Sequence, residues 1–202
     1  MRLPAVLLTL LVAGCGGPAA TRADAPAPTT ATPVQLPATA PRVTIAPTPT
    51  CSTAKEPFVP TSIDLTGLAL PVLALGRDER NVPGVPSLAD KFVVAWDAPG
   101  IQPGADKGNV LLNTHTWPDG SALGNRLLAK LQEGDRFVLE NDGLRLCYRV
   151  TERTEVSVEN PPLKRVYDRE GPPQAVMIVC SGTRLGPGNW THRTLWFAEP
   201  VS

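Results

Sequence analysis

From about Thr61 onward, the apolar residues of this chain come in short runs, each cut off within a few positions by glycine, proline, asparagine or aspartate. Runs of that length suit strands better than helices. The runs are Ser62–Leu70, Pro71–Leu75, Phe92–Trp96, Val110–His115, Arg136–Glu140, Leu144–Val150, Val176–Cys180 and Thr194–Ala198. Ser121–Gln132 is the exception: Leu123, Leu127, Leu128 and Leu131 recur at helical spacing, and Gly134-Asp135 stops the pattern. Asn141-Asp142-Gly143 joins two runs with the chemistry of a tight hairpin turn. Many short strands around one internal helix predict an all-β fold, a closed or nearly closed β-barrel.

The chain ahead of the barrel has a different composition. Between Gly16 and Pro60 it is mostly proline, alanine and threonine, and ten of the 23 prolines fall there. Such a stretch cannot bury enough apolar surface to offset its chain entropy, so residues 15–60 are expected to form an extended linker. In polyproline form, at about 3.1 Å per residue, it would reach at most ~140 Å. Before it, Arg2 and the apolar Ala5–Ala13 lead into Val12-Ala13-Gly14-Cys15. This resembles a bacterial lipoprotein signal, which implies removal of residues 1–14, lipid on Cys15 and a protein held on the outer face of the membrane. The apolar stretch is well short of the roughly 20 residues that span a bilayer. Residues 61–202 remain for one domain, about 140 residues and enough for a core.

Lys plus Arg and Asp plus Glu both number 19, so no basic field exists to draw nucleic acid. The chain has four cysteines, no C-x-x-C pair and no His/Cys cluster, so neither a metal nor another cofactor is expected. With Cys15 as lipid acceptor, Cys51 and Cys147 remain as a possible disulfide, while Cys180 stands apart. Strand alternation puts Leu144, Leu146, Tyr148 and Val150 on one face and turns Cys147 away from it.

Three residues carry the candidate chemistry. Cys180 closes one apolar run, Arg193 opens another, and His115 ends a third. A thiol, an imidazole and a guanidinium at strand tips are the parts of a cysteine acyl-transfer site. Taken singly, a cysteine ending a strand is most often an inert buried hydrophobe. Unperturbed, the thiol and the imidazole titrate near about 8.5 and 6.5, which leaves roughly 3 % thiolate at pH 7. His192 adjoins Arg193, but strand neighbours point to opposite faces, so the two are not expected to share a site. Arg184 is a second arginine near the cysteine, but it is expected to lie in a loop over Gly182–Gly188.

The order His115, Cys180, Arg193, with Trp96, Pro99-Gly100, the helix and the Asp142-Gly143 hairpin, resembles the sortases, cysteine transpeptidases of Gram-positive cell walls. The proline-glycine stretch before the histidine run is similar to the actinobacterial class E/F branches. The resemblance implies an eight-stranded closed barrel with one or two short helices, and a monomer. It implies that Cys180 attacks a sorting-signal peptide to give a thioacyl-enzyme. His115 would protonate the leaving amine, and Arg193 would hold the oxyanion or position the substrate backbone. An amine acceptor, a cell-wall precursor or a protein lysine, would then take the acyl group. Two stretches depart from the family pattern. Threonine usually precedes the cysteine in Thr-Leu-x-Thr-Cys, where this chain has Val176, Met177 and Val179, and glycine usually precedes the histidine, where it has Thr114. A binding or scaffold module on the same barrel is the alternative. An L,D-transpeptidase is disfavoured because Ser-x-Gly-Cys is absent.

Overall fold

Hydrogen bonding between the first strand and a strand from the middle of the chain closes the sheet on itself. In a computed structural model describing residues 51, 56–65 and 67–201, the strands are β1 (Ser62–Leu65), β2 (Leu68–Leu75), β3 (Val94–Asp97), β4 (Asn109–Asn113), β5 (Arg136–Asn141), β6 (Leu144–Ser157), β7 (Gln174–Gly186) and β8 (Asn189–Val201). The helices are α1 (Leu123–Lys130) and α2 (Leu163–Val166). Neighbours follow the order β1-β2-β3-β4-β7-β8-β6-β5, and β5 pairs back onto β1. The expected closed eight-stranded β-barrel with short helices is the fold. The signal over 1–14, Cys15 and nearly all of the expected linker lie outside the described residues.

The barrel interior is filled by alternate residues of each strand. Ala175, Met177 and Val179 of β7 point in, with Leu146, Tyr148 and Val150 of β6 and Trp196 and Ala198 of β8. The two large indoles in this core keep their N–H groups bonded: Trp96 donates to Ile101 O and Trp196 to Leu131 O, both at 3.0 Å. A buried indole without such a partner would lose stability. A second apolar layer lies outside the barrel wall, where Leu111, Val176, Leu195 and Phe197 pack with Val166 of α2. Strands β4, β7 and β8 are therefore buried on both faces. That is why their sequences read as continuous apolar runs and not as alternating ones.

Several boundaries differ from expectation. The first two strands meet at Gly67 and not at Pro71, because Gly67 takes the positive φ (80°) the turn needs and its N–H bonds to Asp64 Oδ1 at 2.9 Å. Pro71 sits inside β2, opposite Ser62. Helix α1 is shorter than the leucine spacing predicts, since Leu131 is already extended. Strand β6 runs to Ser157 and β7 to Gly186, well past their apolar runs. Residues expected to belong to the linker also pack on the barrel: Phe58 is buried in the core and its N–H bonds to Pro103 O at 3.0 Å. Cys51 is joined to Cys147 by a disulfide. Cys147 lies outside the core cluster, as alternation predicts, yet is only 1 % exposed.

Candidate active site

Register and parity bring the three candidate residues to one place. On β7, Val176, Ile178 and Cys180 alternate with the inward-facing residues, so the thiol lies on the outer face of the wall. On β8 the outward set is Phe197, Leu195 and Arg193, and the antiparallel ladder sets Cys180 directly opposite Arg193. The parallel β4–β7 ladder ends with Asn113 opposite Ile178. One further bond, Thr114 N–H to Ile178 O at 3.3 Å, carries the chain onward. Cys180 and Arg193 are thus cross-strand neighbours, about 4.8 Å apart between strands, and His115 follows just beyond the end of β4, the strand on the other side of β7.

All three line one cleft of about 500 Å³. Its walls are largely apolar and include Trp117, Trp190, Tyr167 and Leu163. Cys180 is the free cysteine among the described residues and is partly exposed. Burial pushes its thiol up, and the Arg193 guanidinium pulls it back only in part. Arg193 is anchored through Nη1, which donates to His192 O at 2.8 Å and Trp190 O at 3.2 Å. A guanidinium has five N–H donors, so this leaves its remaining donors for a ligand.

The imidazole is held from the opposite side. His115 Nε2 bonds to the carbonyl oxygen of Pro86 at 2.7 Å, and no hydrogen bond joins the ring to Cys180. A carbonyl only accepts, so Nε2 carries the proton and Nδ1 is left to exchange one. Pro86 belongs to the segment between β2 and β3, which lies along the cleft through Val82, Pro83, Val85 and Leu88. That segment is braced at several points. Asn113 Nδ2 donates to Gly84 O at 2.9 Å, Gly84 N–H bonds to Gly76 O at 2.8 Å, and Arg77 pairs with the buried carboxylate of Asp97. The Asp97 partner raises the Arg77 guanidinium further above its already high range. From the helix side, Gly124 N–H of α1 donates to His115 O at 2.8 Å. A Cβ at Gly124 would come within 2.5 Å of that oxygen, so only glycine allows α1 this close.

Expectations for individual residues come out differently. Cys180 and Arg193 are not at strand tips: both sit in the middle of long strands, because β7 and β8 continue beyond them as a hairpin. His115 lies two residues beyond β4. His192 faces away from the cleft, opposite Ser181, with Nδ1 bonded to Thr191 Oγ1 at 2.8 Å. Arg184 is part of β7 and lines the cleft, where a loop position was expected. The departures from the family pattern also have a physical setting. Val179 is 1 % exposed in the barrel core, where a threonine hydroxyl would need a partner, and the Thr114 hydroxyl donates to Val93 O at 2.8 Å. Pro86, Asn113 and Gly124 escaped the sequence reading. The one available signal was the turn-forming Pro83-Gly84-Val85-Pro86.

A family model described as the sortase domain matches residues 62–201. Among solved structures, sortase C1 of Streptococcus agalactiae is 17% identical with a TM-score of 0.54, over 70% of this chain and 69% of that one. Sortase C-1 from Actinomyces oris is 22% identical with a TM-score of 0.51, over 70% of this chain and 73% of that one. Sortase A from Corynebacterium diphtheriae is 21% identical with a TM-score of 0.53, over 73% of this chain and 62% of that one. No curated protein matches the chain.

Proposed function

The chain belongs to the sortase family of cysteine transpeptidases, and on that premise we propose that it is itself an active transpeptidase using Cys180, His115 and Arg193. What carries this reading is the shared cleft, which His115, Cys180 and Arg193 all line, with Cys180 directly opposite Arg193 in the β7–β8 ladder. Cys180 passes its thiol proton to Nδ1 of His115, the resulting thiolate attacks a carbonyl of a sorting-signal peptide, and the developing oxyanion is neutralised by Arg193. His115 gives a proton to the departing amine, leaving a thioester on Cys180. An incoming amine attacks that thioester, His115 takes the proton it sheds, and the new amide leaves with the thiol restored. The apolar, aromatic walls of the cleft suit an extended peptide with apolar side chains.

Sortase proteins act at the cell surface, and among the described residues no helix is long and apolar enough to cross a membrane. Residues 1–14 as a signal, lipid on Cys15 and a linker onward from it complete the proposal, together with a class E/F-like character. One observation favours the alternative of a binding module: His115 is bonded to the Pro86 carbonyl and not to the Cys180 thiol.

The test is turnover of a library of fluorogenic sorting-signal peptides by the full chain, with and without an amine acceptor. Cleavage that Cys180→Ala abolishes, with an amide product in the presence of the amine, is the expected result. Turnover that persists in the alanine variant removes Cys180 as nucleophile. No cleavage of any peptide favours the binding module.

A further inference from the structure

The charges along the cleft are all of one sign. Arg184 and Arg193 both line it, and no aspartate or glutamate does among the described residues. The chain as a whole has as many acidic as basic side chains, so this asymmetry belongs to the cleft. Neither guanidinium is in a salt bridge among the described residues, although the ion pairs elsewhere take up Arg77, Lys107, Arg145 and Arg165. The two are linked through Trp190: it stands opposite Arg184 in the β7–β8 hairpin, and its carbonyl accepts from Arg193 Nη1. Arg193 faces Cys180 across the ladder, whereas Arg184 is four positions further along β7, beyond an irregularity in the register. At about 3.3 Å per residue that is roughly 13 Å from the sulfur, within reach of a group a few residues from the reacting carbonyl of an extended ligand.

We infer that Arg184 is a binding residue for a carboxylate on one of the two substrates. The inference rests on the transpeptidase reading and extends it. The forked guanidinium matches a carboxylate with two parallel N–H donors, and Arg184, exposed at the cleft wall, is open to a ligand entering from solvent. The carboxylate can come from an acidic side chain of the donor peptide or from the carboxyl group beside an acceptor amine. These are two sources of one chemistry.

Three arms on the full chain test it at low salt, each read as the anionic-to-neutral rate ratio in the wild type divided by that in Arg184→Gln. The first needs no turnover: it compares labelling of Cys180, resolved by mass spectrometry, by a carboxylate-bearing aromatic disulfide and by a neutral dipyridyl disulfide. The second compares donor peptides with Glu or Gln at matched positions. The third compares an amino acid with its amide as acceptor. The labelling quotient is expected to be about threefold, from one charge at long range. About tenfold is expected in whichever turnover arm presents the natural carboxylate, and Arg184→Lys should retain part of it. Quotients near one in the labelling arm and in every productive turnover arm overturn the inference. If labelling discriminates but no peptide is cleaved, the carboxylate site stands and the transpeptidase reading falls. Cleavage with quotients near one leaves the transpeptidase reading standing without the site.

Discussion

The Pro86 carbonyl accepts a hydrogen bond from Nε2 of His115 at 2.7 Å. A main-chain atom thus sets the tautomer of the candidate acid–base residue, and its own position depends on Gly84, two residues earlier. A Cβ at Gly84 would lie 2.8 Å from Gly76 O and 3.0 Å from Leu75 Cβ, so the segment must shift to accept one. In Gly84→Ala the ring is expected to lose its single tautomer. Nitrogen-15 imidazole spectra should show bare Nδ1 and protonated Nε2 in the wild type and an averaged pair in the variant. Identical spectra would sink the idea.

Burial outweighs the neighbouring cation at Cys180, so the thiol lies above its ordinary range. The thiolate fraction at pH 7 is therefore below the roughly 3 % of a free cysteine. Alkylation by iodoacetamide should rise with pH to a midpoint above that of a free thiol, and Arg193→Met should move the midpoint higher still. A midpoint that falls in the variant would mean that the guanidinium does not act on the sulfur. Transfer, where Arg193 also meets the oxyanion, should drop by about a hundredfold in the same variant.

Gly124→Ala replaces a poor helix residue with the best one, yet should destabilise. The added methyl meets His115 O at 2.5 Å and Thr116 Oγ1 at 2.6 Å, backbone and near-backbone atoms that yield little. Overpacking of this kind costs about 1–3 kcal/mol. Because the clash falls on the His115 main chain, the pH profile of turnover should change as well as Tm. A stabilised variant with wild-type turnover would show that α1 does not position the imidazole.

The Cys51–Cys147 disulfide spans 96 residues of sequence. Loops of that order contribute about 4 kcal/mol by restricting the unfolded chain. Cys51→Ser is expected to lower Tm by roughly 10 °C, and thiol reductant should have the same effect on the wild type. Cys147 lies nine residues along β6 from Val156, the residue of that strand that lines the cleft, so labelling of Cys180 below the transition should be unaffected. Scanning calorimetry in both redox states measures it, and coincident transitions would contradict it.

The barrel was legible because its strands announce themselves by local chemistry. Apolar runs end at glycine or proline, Asp142-Gly143 takes the positive φ values a tight hairpin requires, and the alternation in β6 puts Leu146, Tyr148 and Val150 inside. Cys180, Arg193 and His115 stood out as residue types at the edges of those runs. The runs misled about where the strands end. Beyond Cys180, β7 is held by pairing with β8 and not by burial, so it carries no hydrophobic signal.

Sequence alone therefore supplied an inventory: most of the segments that form strands, the alternation that turns β6 toward the core, and three candidate residues for acyl transfer. Tertiary structure decided their relations. It set Cys180 against Arg193 through the hairpin register, brought the Pro86 carbonyl to His115, and placed Arg184 on the cleft. Local propensity acts over a few neighbouring residues. Register, close approach through a glycine and a carbonyl delivered by a distant loop depend on contacts far apart in sequence, which no local pattern encodes.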